Sequence, residues 1–219
     1  MFTLDLFGDL PRSVGERRQL GPGAWLLEGF ALARAEALVE AVRAVEAQSP
    51  PRHLVTPGGF TMSVAMTNCG RLGWNSDLKG YRYGPLDPLS GNPWPTMPEV
   101  LVKLAHEAAE AAGYAAFEPD ACLINSYAPG ARLSLHQDKD EQDLAAPIVS
   151  VSLGLPAVFL FGGAQRSDPV ERYGLQHGDV VVWGGEDRLR FHGVAPVKAG
   201  EHPLTGGRRL NLTFRKVNR

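Results

Sequence analysis

The stretch from Asn125 to Asp140 reads Asn-Ser-Tyr-Ala-Pro-Gly-Ala-Arg-Leu-Ser-Leu-His-Gln-Asp-Lys-Asp. His136 and Asp138 stand two residues apart within it. In an extended chain such residues point to one face, so an imidazole and a carboxylate converge there. Together they supply two ligands of a 2-His-1-carboxylate site for ferrous iron. A single His-x-Asp also suits a hydrogen-bonded loop histidine, so a distant second histidine has to decide.

Six histidines are present. His53 and His106 have no ligand-type neighbours, and His177 (Gln-His-Gly-Asp) and His202 (Gly-Glu-His-Pro) fall in turn-like segments. His192, in Arg-Phe-His-Gly-Val, follows the apolar run Asp179 to Trp183 at a distance suited to the next strand of a barrel. Neighbouring strands can bring it beside His136 and Asp138; a buried histidine bonded to a carbonyl is the alternative. Three facial ligands leave three positions for a bidentate co-substrate and dioxygen. Zinc more often takes three histidines or adds cysteine, so this donor set leans towards non-haem Fe(II).

Arg209 and Arg215 bracket Arg-Leu-Asn-Leu-Thr-Phe-Arg. Six apart in a strand, they share a face with Asn211 and Thr213. Such a face is costly inside a β core unless an anion sits on it. A dicarboxylic acid such as 2-oxoglutarate satisfies both guanidinium groups through forked bonds. Salt bridges on an exposed strand are the competing account. A third set lies upstream, where Arg71-Leu-Gly-Trp74-Asn-Ser-Asp-Leu-Lys79-Gly-Tyr81-Arg82-Tyr83 interleaves rings with cations. Rings can stack on an extruded base and cations can meet phosphates, or the aromatics can pack on a barrel rim.

The elements that position these residues are mostly β. Ile148 to Leu155 and Arg209 to Phe214 alternate with period two, while Ala157 to Phe161 and Asp179 to Trp183 are short apolar runs bounded by glycine. Short strands at close spacing predict a sandwich or jelly-roll barrel. Ahead of them, the first twenty residues read as a loose tail and Ala24 to Phe30 as a short strand. A helix is expected from about Ala31 to Gln48, where Leu38, Val42 and Val45 form one stripe before Pro50-Pro51 stops it. Thr96-Met-Pro98-Glu99 reads as a capping box opening a second helix to Ala112, closed by Gly113.

The 219 residues suit one large domain or a domain with an elaboration. The expected units are a tail, strand and supporting helix over 1–50, a lid over 51–95, and the jelly-roll over 96–219. Charged residues at 21% and hydrophobic residues at 44% are ordinary for a globular chain, and 25 Gly with 17 Pro favour a turn-rich β fold over a helix bundle. A net charge of −2 means that nucleic acid has to be met by a local basic patch. Cys69 and Cys122 form no metal or disulfide framework and suit a reducing compartment. Met1 to Gly15 has no basic start followed by an apolar run, and no apolar stretch reaches the roughly 18 residues of a membrane helix, so a cytoplasmic protein is expected.

Four motifs in order resemble the AlkB family of Fe(II)/2-oxoglutarate-dependent nucleic-acid demethylases: Asn-x-Tyr-Ala-Pro-Gly-Ala-Arg-Leu-Ser-Leu-His-Gln-Asp-Lys-Asp, Pro-Ile-Val-Ser-Val-Ser-Leu-Gly, His-Gly-Asp-Val-Val-Val-Trp-Gly-Gly and Arg-x-Asn-Leu-Thr-Phe-Arg. The resemblance covers roughly Val55 to Phe214. It implies a double-stranded β-helix with flanking helices. It assigns iron to His136, Asp138 and His192, the distal carboxylate of 2-oxoglutarate to Arg209 with Tyr127 and Asn211, and the chelating end to Arg215 and Asn125, with Ser126 between the co-substrate residues. Trp74 is implied to stack on the damaged base, Tyr81, Arg82 and Tyr83 to contact the nucleotide backbone, and Thr56 and Met66 to line the same flap. Asp140 and Arg166 are implied to contact the base. A carboxylate at Asp140 suits 1-methyladenine or 3-methylcytosine, whose ring alkylation leaves a positive charge, and can accept a bond from the exocyclic amine.

The implied activity is oxidative demethylation with O2, releasing formaldehyde, succinate and CO2. The implied partner is single-stranded DNA, with double-stranded DNA and RNA as further substrates, and the implied state is a monomer. An oxygenase acting on RNA or a protein side chain, and a non-catalytic nucleic-acid reader, are the other readings. Ser126 (in place of an arginine), Asp187, Phe191 and Arg208 depart from the family pattern and bear on substrate choice.

Overall fold

The computed structural model describes residues 15–218. In chain order the strands and helices are β1 (Arg17–Gly21), β2 (Ala24–Leu27), α1 (Ala35–Gln48), β3 (Arg52–Val55), β4 (Thr61–Gly70), β5 (Gly73–Asp77), β6 (Gly80–Gly84), α2 (Glu99–Ala111), β7 (Ala121–Tyr127), β8 (Leu133–His136), β9 (Ile148–Gly154), β10 (Ala157–Phe161), β11 (Glu171–Leu175), β12 (Val180–Trp183), β13 (His192–Val194) and β14 (Arg209–Arg215). They form an eight-stranded sheet in the order β1-β2-β12-β9-β14-β7-β4-β3, a four-stranded sheet β11-β10-β13-β8, and the hairpin β5-β6. The expected jelly-roll is therefore present, with both helices on one outer face of the large sheet.

Alternation in the central strands sorts their two faces. Leu210, Leu212 and Phe214 of β14, Val149, Val151 and Leu153 of β9, and Cys122 and Ile124 of β7 pack with Leu38, Val39, Val42 and Val45 of α1 and Leu101, Leu104 and Ala108 of α2. Fully burying each such aliphatic chain contributes about 1.5–3 kcal/mol, and this layer anchors the large sheet. The opposite face of the same strands meets the small sheet. There, one apolar cluster around Phe159, Phe161 and Trp183 and another around Met66, Leu123 and Tyr127 leave a polar strip of β14 between them. One strand thus carries structure on its even residues and polar chemistry on its odd ones.

Several expectations meet corrections. Residues 17–21 of the supposed tail form β1, antiparallel to β2, because pairing with Trp25 to Leu27 satisfies their backbone; residues 1–14 lie outside the described part. The first helix begins with a 3-10 turn at Leu32–Arg34 and becomes α-helical at Ala35. No capping box forms at the second helix: Pro98 is the N-cap without a side-chain bond, and Glu99 instead pairs with Lys103 one turn on, at 2.7 Å. Its C-terminus closes as the glycine suggested, with Gly113 at φ 92° and the Tyr114 amide donating to the Ala109 carbonyl. The segment 51–95 is not one lid. β4 pairs with β7 over six residue pairs and β3 pairs with β4, so both extend the core sheet, while the β3–β4 turn and the hairpin β5-β6 reach the opening.

Candidate metal centre and cavity

β8 and β13 pair antiparallel with His136 directly opposite His192. That register places the two imidazoles side by side, ring centroids 4.4 Å apart. The chain leaves β8 after His136 but stays extended enough to return Asp138 to the same point. His136 Nε2 lies 3.7 Å from Asp138 Oδ1 and His192 Nε2 lies 3.7 Å from Asp138 Oδ2. One donor atom from each of the three residues lies within 4.8 Å of the others. Each histidine contacts the carbonyl two residues before it through Nδ1, His136 to Ser134 at 2.9 Å and His192 to Arg190 at 3.1 Å. If Nδ1 donates, as a carbonyl partner requires, both Nε2 lone pairs point at the shared centre. Burial, reinforced by His136, drops the His192 pKa to about 3 and keeps it neutral. Burial pushes Asp138 up, yet Arg215, His192 and His136 outweigh it and hold the carboxyl well below its ordinary range. Two imidazoles, His192 held neutral by burial, and an ionised carboxylate fit a divalent cation with open positions.

The inner face of β14 supplies the anion side. Arg209 is only 1% exposed, lies over the Tyr127 ring at 4.8 Å, and donates Nη2 to Ser152 Oγ at 2.9 Å. Its Nε and Nη1 have no hydrogen-bond partner, nor have Tyr127 OH and Asn125 Oδ1. Burial pulls the Arg209 pKa down, opposed by Tyr127. Leaving donors of a buried guanidinium unpaired costs several kcal/mol, so the strip suits an anion such as a carboxylate of 2-oxoglutarate. At the other end Arg215 donates Nε and Nη2 to Asp138 Oδ2 at 2.9 and 2.6 Å. Asn211 is fully engaged with Ser150, Val151, Thr213 and Asn125, which makes it the brace that orients Asn125.

A cavity of about 900 Å³ runs from this strip past the triad to an open rim. Asn125, Tyr127, His136, Asp138, Asp140, Arg166, His192, Arg209, Asn211, Arg215, Thr56, Met66, Trp74 and Tyr81 all line it. At the rim Trp74 and Tyr81 stack at 5.5 Å and 16°, and the Trp74 indole donates to Asp140 Oδ2 at 3.0 Å. The Arg166 guanidinium lies 5.8 Å over the Phe191 ring.

Three anticipated residues do not reach the cavity. Ser126 is turned to the helix side by the alternation of β7 and lies 3.4 Å from Arg208, which forks onto Glu46 of α1. A co-substrate role for Ser126 is therefore corrected. Arg82 points off the hairpin's other face and forks with Asp77, and the Tyr83 hydroxyl donates inward to Glu141 at 2.6 Å. Of the departures from the family pattern, Arg208 and Asp187 turn away from the cavity, Asp187 accepting the Gly23 amide at 2.7 Å, and Phe191 alone lines it. Sequence reasoning missed Ser150, Ser152, Glu141 and Arg188. The alternation in Ile-Val-Ser-Val-Ser-Leu marks the two serines, whereas Glu141 and Arg188 resemble ordinary surface charges.

Comparison with known proteins agrees with this geometry. Residues 23–215 match the family described as the 2OG-Fe(II) oxygenase superfamily. The chain is 60% identical to the alpha-ketoglutarate-dependent dioxygenase AlkB of Salmonella typhimurium over 98% of both chains. It is 59% identical to the protein of the same description from Escherichia coli strain K12 over 99% of both. Among solved structures it resembles that titled "The structure of OsALKBH1", with a TM-score of 0.79, 31% identity, and coverage of 92% of this chain and 100% of the other.

Proposed function

Because the chain belongs to the AlkB family of the 2OG-Fe(II) oxygenase superfamily, we propose that it repairs DNA by oxidising N-linked methyl groups from 1-methyladenine and 3-methylcytosine. It is a dioxygenase that uses Fe(II), 2-oxoglutarate and O2. The observation that carries the finer reading is the pair of unpartnered donors on buried Arg209, at one end of a cavity whose other end is an aromatic rim.

Bound iron and 2-oxoglutarate supply an oxidant, made from O2, that hydroxylates the methyl carbon, after which formaldehyde leaves the restored base. The chain does the rest. His136, Asp138 and His192 are the proposed iron ligands. Arg209, beside Tyr127, takes one carboxylate of 2-oxoglutarate, and Asn125, braced by Asn211, attends the chelating end with Arg215. Trp74 and Tyr81 stack on the base, while Asp140 offers the cationic base a carboxylate and Arg166 closes the far side. Thr56 and Met66 shape the wall between rim and metal. Burial of the floor excludes water from the reacting carbon.

An open rim that takes one extruded base suits single-stranded DNA, where no base pair has to be broken. RNA presents the same base and is a further substrate. Free Cys69 and Cys122 fit a cytoplasmic protein, and no helix among the described residues is long and apolar enough to cross a membrane. We assign it a monomeric state.

The test is mass spectrometry of a methylated oligonucleotide after incubation with fresh ferrous iron, ascorbate, 2-oxoglutarate and O2. The expected result is loss of one methylene mass per methyl group together with succinate. Unchanged oligonucleotide mass refutes the repair reading; succinate formed only with RNA or a peptide moves the substrate.

A further inference from the structure

Below the cavity floor an ionic cluster joins Asp138 and Arg215 to Glu141, Arg188 and Tyr83, three residues that the proposed reaction does not use. Glu141 is buried between two arginines. Its Oε2 accepts from Arg188 Nη2 at 3.0 Å, and its Oε1 lies 3.4 Å from Arg215 Nε and accepts the Tyr83 hydroxyl at 2.6 Å. Arg188 also donates Nη1 to the Asp138 carbonyl at 2.6 Å and Nε to the Ala146 carbonyl at 3.0 Å. Arg215 grips the Asp138 carboxylate. Asp138 is thus held by its main chain and its side chain through two arginines that share one anion, Glu141. Two arginines against Asp138 and Glu141 leave the buried set neutral, and removing Glu141 would leave an excess cation next to a metal site.

Tyr83 stands in β6 directly opposite Trp74 of β5. Two bonds therefore tie the hairpin to the segment 138–141: Trp74 to Asp140 at the exposed rim, and Tyr83 to Glu141 in the interior. A bond to a buried carboxylate is the stronger kind, because no water competes for it. The Tyr83 hydroxyl is consumed here, and Tyr83 does not line the cavity.

We infer that Glu141 and Tyr83 are positioning residues that couple the hairpin carrying Trp74 to the carboxylate ligand Asp138. This rests on Asp138 being an iron ligand. Fixing Asp138 on a metal fixes Arg215 and Arg188, which fixes Glu141, which holds the hairpin in the pose that receives a base. Linkage is reciprocal, so a base seated under Trp74 also favours the metal-competent Asp138.

Hydrogen exchange of the 73–84 amides, measured anaerobically with and without Fe(II), tests it in the whole protein. Wild type is expected to slow its hairpin exchange about ten-fold on Fe(II) binding, the factor that one charge-assisted bond supplies. Tyr83→Phe, which keeps the ring, is expected to retain less than about three-fold of that slowing, the residue coming from Trp74 and Asp140. Glu141→Gln is expected also to weaken Fe(II) affinity about 10–100-fold, as loss of outer support for a ligand does. If Glu141→Gln fails to fold, Tyr83→Phe carries the test alone. A role in stability only would raise exchange equally with and without Fe(II) and leave the ratio at its wild-type value. That outcome, or no slowing in wild type, overturns the inference. Oligonucleotide demethylation by wild type is scored separately, so failure of the repair reading and failure of the coupling are told apart.

Discussion

The floor and the rim of the same cavity are built on opposite principles. On the floor, Arg209, Arg215 and His192 are buried in central strands of two sheets and Asp138 just beyond the end of β8, with Asn211 braced by four partners. At the rim, Tyr81 is 48% and Phe60 76% exposed, and the hairpin that carries Trp74 pairs with neither large sheet. A metal and a small dicarboxylate need donors fixed to a fraction of an ångström, which only packed strands supply. A base on a polymer approaches in many poses, and a stacking surface on a hairpin tolerates that spread. The floor therefore stores its cost in advance, as unpaired donors on Arg209, whereas the rim has little strain to store.

Substitutions can break this contrast, the largest effects falling on the floor. His192→Ala removes a proposed iron ligand, and Asp138 and His136 are expected not to hold iron alone. Turnover in the methylated-oligonucleotide assay is expected to fall more than about a thousand-fold, with Fe(II) lost on gel filtration. Retention of iron and a tenth of the activity would place the metal elsewhere.

Arg209→Met should split stability from function. Saturation with 2-oxoglutarate should require at least about a hundred-fold more co-substrate, since the proposed charge-assisted contact to its carboxylate is lost. The protein without 2-oxoglutarate should melt at an equal or higher temperature, because a buried cation with unpaired donors is replaced by an apolar chain; the gain expected in chemical denaturation is about 1–3 kcal/mol. A marked loss of stability would show that Arg209 is satisfied without an anion.

The rim should respond more gently. Trp74→Ala removes one stacking surface and should raise the KM for oligonucleotide about 10–100-fold, as loss of about 1–3 kcal/mol of stacking does, while the KM for 2-oxoglutarate stays within about two-fold. An equal change in both constants would mean that rim and floor are one rigid unit. Ser126→Ala, on the far face of β7, should change either KM less than about two-fold. A larger effect would reinstate Ser126 at the co-substrate.

Wherever one strand's alternation settled a question, the sequence was a sound guide. His136 with Asp138, and Arg209 with Asn211 and Arg215, share faces because side chains alternate along the chain, and the structure brings both groups into one cavity. The same rule, applied to Asn125 and Tyr127, already turns Ser126 away, and a residue placed in the site by resemblance alone did not survive it. Where pairing between distant segments decided, local signals fell short. β3 and β4 read as lid because the segment they lie in is dense in Gly, Pro, Ser, Thr and Asn, yet β4 pairs with β7 and β3 with β4, which draws both into the core sheet. Glu141 follows Lys139 and Asp140, and nothing local marks it as buried; only the arrival of Arg188, 47 residues on, and of Tyr83, 58 residues before, buries it.

The chain by itself determined the donor atoms, their common faces and the alternation that divides a helix-packed side from a chemical side. Those follow from residue type and a two-residue repeat, both local. The tertiary structure alone decided that His192 faces His136, that Arg209 is left with unpaired donors, and that the hairpin's tyrosine ends on the anion beneath Asp138. These depend on which strands pair and in what register, and register is set by burying the whole sheet at once, an energy to which no single segment holds the larger share.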